Sequence, residues 1–215
     1  MEYIDSKDLV LIGQGANGHI YKYKKPHVPS GLPAVVKMSR LINPSNAIKN
    51  YELVKHAGLM HLAFYEECQV DGKPAMLMED LFTENMVYVS PNSVRNGYVN
   101  NQPEAYFLNN KLNDIANMDS LLMQMRDIVN CTNGNGIGLD MDMISFGVQR
   151  GNKDSNVSYK LVDLDSMLHD DYSRYKLREP NTIAAKEAID LFIKYFVETD
   201  AVKQILYQQI KDFQW

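Results

Sequence analysis

The segment that most constrains this chain is Leu11-Ile-Gly13-Gln-Gly15-Ala-Asn-Gly18-His-Ile20-Tyr, a G-x-G-x-x-G pattern set between apolar stretches. The short run Ala34-Val35-Val36 follows it and ends in Lys37. Three strands read from this region: residues 8–12, residues 19–23, and a third that closes on Lys37 after a Pro- and Gly-rich connection over 26–33. Glycines in such a turn let the backbone approach a phosphate without a Cβ clash. The lysine sets one fixed positive charge beside that phosphate. Alone the pattern is weak, because glycine turns are common in β-hairpins. What decides is whether residues of matching chemistry follow in order.

Size and composition bound the classes available. A chain of 215 residues makes one domain, or two small lobes around a cleft. Net charge is −5 with no concentrated basic run, so no nucleic-acid partner is expected. No stretch approaches the ~20 apolar residues of a membrane span. The opening Met-Glu-Tyr-Ile-Asp-Ser-Lys-Asp is polar and acidic, unlike a cleavable secretory signal. Cys68 and Cys131 lie far apart without a C-x-x-C pair and read as reduced core thiols, placing the chain in a reducing compartment. Export without a signal into another cell fits the same pattern.

Along the chain, Asn43-Pro44-Ser45 starts a helix over 45–57 that carries Ile48, Tyr51, Glu52 and Lys55. Residues 61–65 and 75–78 read as strands, with Asp71-Gly72 as the hairpin turn between them. Three strands, a helix and two strands make a five-stranded sheet with one crossing helix. Residues 82–113 show no sustained period and read as a loop with one short helix. Met118, Leu121, Leu122, Met125, Ile128 and Val129 fall at helical spacing over 118–130, as a plain core helix. The run Asn133-Gly-Asn-Gly136 ends it. Residues 137–166 read as extended, with a turn at 150–155, and helices follow over 181–197 and 200–213.

Phosphoryl transfer asks a protein for held phosphates, a bridging metal and a carboxylate that orients the acceptor hydroxyl. Glu52, mid-helix behind the third strand, is the candidate to pair with Lys37 and fix its ammonium. Asp140 and Asp142, in a glycine-containing loop after the long helix, are rival carboxylates, with Asp140 preferred. Asp163 closes the apolar strand Tyr159-Lys-Leu-Val162, and a buried strand is an expensive place for a charge unless a metal or partner sits there.

In this order the residues resemble the protein-kinase-like superfamily, across residues 8–200. The resemblance implies a minimal bilobal α+β kinase-like fold in a single domain, 1–215. Its N-lobe (1–80) has a five-stranded sheet with one helix, and its C-lobe (81–215) is shortened and mainly helical. It implies ATP held by Gly13, Gly15, Gly18, Lys37 and a hinge at Met78-Glu79-Asp80, with Mg²⁺ on Asp163. Counted along the H-R-D-L-x-x-x-N pattern, Asp140 falls at the catalytic aspartate and Ser145 at the metal-binding asparagine, as a weaker one-oxygen ligand. Asp190 falls at the buried aspartate that braces the catalytic loop. The implied activity is that of a monomeric Ser/Thr protein kinase.

The departures are as informative. Gly138 and Leu139 replace the His and Arg before the aspartate, and without that arginine an activation-loop phosphate has nothing to pair with. Asp165 replaces the glycine of D-F-G, and no A-P-E follows. This shortened pattern resembles the minimal kinases that pathogenic bacteria inject into host cells, of the OspG/NleH type and the compact kinases that modify host chaperones. That resemblance implies delivery into host cytoplasm without a cleavable signal, and as substrate a host chaperone, ubiquitin-pathway or signalling protein. Two other readings stand beside it: a catalytically weak pseudokinase that holds a partner, and a small-molecule phosphotransferase.

Overall fold

The computed structural model describes residues 2–15, 18–26, 31–39, 44–59, 61–151, 156–164 and 178–215. The mixed α+β character expected from the sequence is present, but the larger sheet has six strands where five were expected. The sixth is β1 (Glu2–Ile4), which lies parallel to β5 (Tyr65–Val70) with Ile4 opposite Val70. Three residues are too few for a period-2 pattern to emerge, yet the alternation is there: Tyr3 points to solvent and Ile4 is buried. The sheet runs in the order β1-β5-β6-β4-β3-β2, with β2 (Leu9–Gly15), β3 (Gly18–Tyr23), β4 (Ala34–Ser39) and β6 (Lys73–Glu79). Every pairing except β1 with β5 is antiparallel. The β5–β6 hairpin turns on Asp71 and Gly72 at φ 48° and 77°, the two positive angles that an Asp-Gly turn favours. The strand expected over 61–65 begins only at Tyr65; Leu62 instead bridges Leu161.

The first helix, α1 (Pro44–His56), lays Ala47, Asn50 and Val54 against the sheet. Asn43, the first residue of its expected start, lies outside the described residues. Residues 82–113, expected as a loop with one short helix, hold β7 (Met86–Val89) and two helices, α2 (Pro91–Arg95) and α3 (Gln102–Asn109). In β7 only Val87 and Val89 are buried, too short an alternation to stand out from its polar flanks. β7 pairs with β8 (Ile144–Gln149), and β8 with β9 (Ser158–Leu161), in a second, antiparallel sheet.

Behind that sheet stand α4 (Met118–Asn135), α5 (Arg178–Phe196) and α6 (Asp200–Asp212). The apolar stripe of α4 is buried as its spacing predicts. Phe107, Phe146, Phe192 and Phe196 form an aromatic cluster, with centroids 4.8 Å apart for 146–192 and 4.9 Å for 107–196. One core runs from Ala47 and Val54 of α1 through Tyr65 and Met76 of the large sheet to Ile210 of α6. The two layers are therefore packed into a continuous interior. Both cysteines are free thiols, and burial pushes that of Cys68 up to about 12. The turn over 152–155 and the segment containing Asp165 lie outside the described residues. Among those described, no helix is long and apolar enough to cross a membrane.

Candidate active site

Two adjoining cavities lie between the large sheet and the helical layer, sharing Ile20, Met78 and Leu81. One, of about 320 Å³, is roofed by Gly13 and backed by Val35, Glu79 and Glu104. The other, of about 460 Å³, is lined by Gly18, Lys37, Asp142 and Asp163. Within the glycine pattern, Gly18 lies close against β4. At Gly18, φ is 154°, and a Cβ there would stand 3.0 Å from Ser39 Cα in β4. Gly15 pairs with Gly18 across the hairpin, whose tip at Ala16 and Asn17 lies outside the described residues.

Lys37 is only 8% exposed, and its Nζ meets Asp163 Oδ1 at 2.8 Å. Two residues past the end of β9, Asp163 takes φ 52°, and its N–H donates to Tyr65 Oη at 2.6 Å. The preceding N–H, of Val162, donates to Met143 O at 2.8 Å and ties this bend to the turn that carries Asp142. The positive φ turns the chain so that the carboxylate closing a buried strand enters the cleft.

Of the rival carboxylates, it is Asp142 that faces the cleft. Asp140 caps the short 3-10 turn over 141–143, accepting from the Asp142 N–H at 3.2 Å, and is exposed. Asp142 Oδ1 accepts from Asn92 Nδ2 at 2.6 Å. Burial raises the Asp142 carboxyl above its ordinary range; the Asn92 bond opposes this, and the charges of Asp140 and Asp163 add to the rise.

Three sequence-predicted residues fall elsewhere. Glu52 does not pair with Lys37. It is half-exposed and lies 3.9 Å from both Lys55 and His56. Helical geometry explains this, since at about 100° per residue a helix that buries Ala47, Asn50 and Val54 turns position 52 outward. Asn50 is the α1 residue that reaches inward, donating to Leu164 O at 2.5 Å. Ser145 is buried in β8 opposite Lys160 and lines neither cavity. Asp190 is exposed on α5 and braces nothing in the 137–140 segment.

That bracing comes from Asn181, near the start of α5 and 1% exposed. Its Oδ1 accepts from Leu139 N at 2.7 Å, and its Nδ2 donates to Ile137 O at 2.9 Å. Asn181 marked only a helix start in the sequence. Glu79 lines the first cavity, with its carboxylate paired to Lys160 of β9 and its N–H donating to Phe64 O at 3.3 Å. Asp80 is held by Lys22 at 3.3 Å and by the Phe82 N–H at 2.9 Å. Glu104, from the unreadable segment, is buried with its Oε1 accepting from Ser93 Oγ and its Oε2 without a hydrogen-bond partner among the described residues. No sequence signal pointed to it.

Among the described residues no group of three or more His, Cys, Asp or Glu converges on a metal position. Asp163 and Asp142 offer carboxylates to one cavity, which suits a hard cation that takes one or two protein oxygens and completes its shell from phosphate and water. No protein-family model matches this chain, and no curated protein matches it.

Proposed function

We propose that the chain is an ATP-dependent protein kinase of minimal, bilobal kinase-like fold, transferring the γ-phosphate to a serine or threonine hydroxyl. The observation that carries this reading is the pairing of buried Lys37 with Asp163 beside a glycine hairpin, with Asp142 lining the same cavity. The smaller, more apolar cavity suits the nucleoside, with Glu79–Leu81 along its edge. Lys37 supplies charge to the phosphates, and Asp163 would hold Mg²⁺. Bound there, the cation would neutralise charge on the phosphate oxygens. Asp142, with Oδ2 unengaged by the described residues, accepts the proton of the acceptor hydroxyl and orients it. Asp140 supports the turn from outside the cavity.

A protein acceptor is favoured because the cleft is open and residues 82–113 fold into one strand and two short helices, with no large insertion to enclose a small substrate. Action on a host protein after injection belongs to the same proposal and is supported by the resemblance alone. One observation favours a second reading, a nucleotide-holding pseudokinase: Glu52 and Ser145 both lie away from the cavities. The deciding experiment follows γ-phosphate transfer from ATP with Mg²⁺ to casein and to the chain itself, in the wild type and Asp142→Asn. Transfer that the substitution abolishes supports the kinase. A Mg²⁺-dependent ATP thermal shift without transfer supports the pseudokinase.

A further inference from the structure

The resemblance implies a metal-binding amide in the loop after the catalytic aspartate, and the chain has Ser145 there, buried in β8 outside the cleft. The amide that meets the carboxylate comes from a different element. Asn92 sits second in α2, just after Pro91, and is 5% exposed. Its helix packs on α5 and on the 141–143 turn. Its Nδ2 donates to Asp142 Oδ1 at 2.6 Å, while its Oδ1 is buried without a hydrogen-bond partner among the described residues. The orientation follows from chemistry: reversing the amide would set two acceptors face to face at that separation.

A half-buried carboxylate on a short turn rotates about its last torsion unless one oxygen is held. With Oδ1 held from α2, Oδ2 is the oxygen left for the cavity that Asp142 lines together with Lys37 and Asp163. We infer that Asn92 is a positioning residue: its amide fixes one oxygen of Asp142 so that the other is presented to the acceptor hydroxyl. This rests on the phosphotransfer reading and extends it to a residue of α2, outside the loop that carries Asp140 and Asp142.

The test measures kcat and KM for ATP·Mg²⁺ in the wild type, Asn92→Ala and Asn92→Asp, with transfer to casein and to water as the two outputs. Melting curves with and without ATP·Mg²⁺ accompany each. A positioning role lowers kcat about tenfold or more in both variants, holds KM for ATP within about twofold, and keeps the nucleotide-induced melting shift. If Asn92→Ala melts below the assay temperature, the near-isosteric Asn92→Asp carries the comparison, since it keeps the volume and loses the donor. An unchanged kcat in a folded variant overturns the inference. So does a kcat that falls together with a large rise in KM, which marks a residue shaping the whole cleft. A wild type that neither binds ATP·Mg²⁺ nor transfers phosphate sinks the kinase reading itself, before any variant is compared.

Discussion

Lys37 and Asp163 stand 126 positions apart in the chain and meet at 2.8 Å, the ammonium buried and the carboxylate side chain 42% exposed. Only a fold that brings the middle of β4 to the end of β9 makes this contact. Burying a lysine is costly unless an opposite charge accompanies it. The pair therefore links the two layers chemically at a cavity onto which both open.

If that pair holds a nucleotide, ATP with Mg²⁺ stabilises the wild type by roughly 2.7 kcal/mol at a hundredfold excess over Kd, about 2–4 °C of melting temperature per kcal/mol. Lys37→Ala and Asp163→Asn both abolish that shift. Asparagine is the better replacement at 163, because it tolerates the positive φ that most residues resist. A shift that survives both substitutions, followed by differential scanning fluorimetry, places the nucleotide elsewhere.

Asp142→Asn and Asp140→Asn separate the two neighbouring carboxylates. The first removes the acceptor that faces the cavity and is expected to lower transfer by about 10²-fold or more. The second weakens an exposed cap, costs about 1 kcal/mol of stability or less, and leaves most of the rate. Steady-state kinetics with the two variants reversed in severity would return the role to Asp140.

Glu104 gives a pH signature. Burial holds its carboxyl above the ordinary 4.5, with the Ser93 hydrogen bond opposing. The folded chain then binds that proton more tightly than the unfolded chain does. Its stabilising contribution is full below pH 4.5 and is lost as pH rises through the folded value. Glu104→Gln carries no charge, so it melts higher than the wild type at pH 8, and the gap narrows toward pH 4. Thermal melts showing a gap independent of pH would contradict this account.

Asn181→Ala removes the clamp on residues 137–139 and leaves buried backbone groups unpaired. The expected cost is about 2–4 kcal/mol in urea unfolding. Asn181→Asp has a similar cost, because it loses the donors to Ile137 O and Thr132 Oγ1. A loss under about 0.5 kcal/mol in both would show that the loop is held by other contacts.

What the sequence showed and what it hid divide along physical lines. Hairpins with special turns were legible, as at Asp71-Gly72, because their chemistry is local. So was α4, whose stripe is long enough to repeat. Lys37 and Asp163 were legible as charges ending apolar strands. β1 and β7 were hidden because three or four residues cannot display a period. Glu52 was misplaced because helix position was read from order along the chain, whereas its face is set by which neighbours are buried. Asn92, Glu104 and Asn181 were invisible for another reason: each acts through a partner at least eleven residues away, and no spacing in the chain encodes that.

The Glu79–Lys160 bond joins the last residue of β6 to the middle of β9, with side chains 12% and 19% exposed. It sits beside the chain crossing from one layer to the other, where any rocking of the layers would pivot. Mobile ions screen exposed pairs readily and sheltered ones poorly. The two layers are therefore tied near the cleft by an internal strut that dissolved salt barely loosens. Ionic strength would act on the arrival of a charged ligand far more than on the opening it enters.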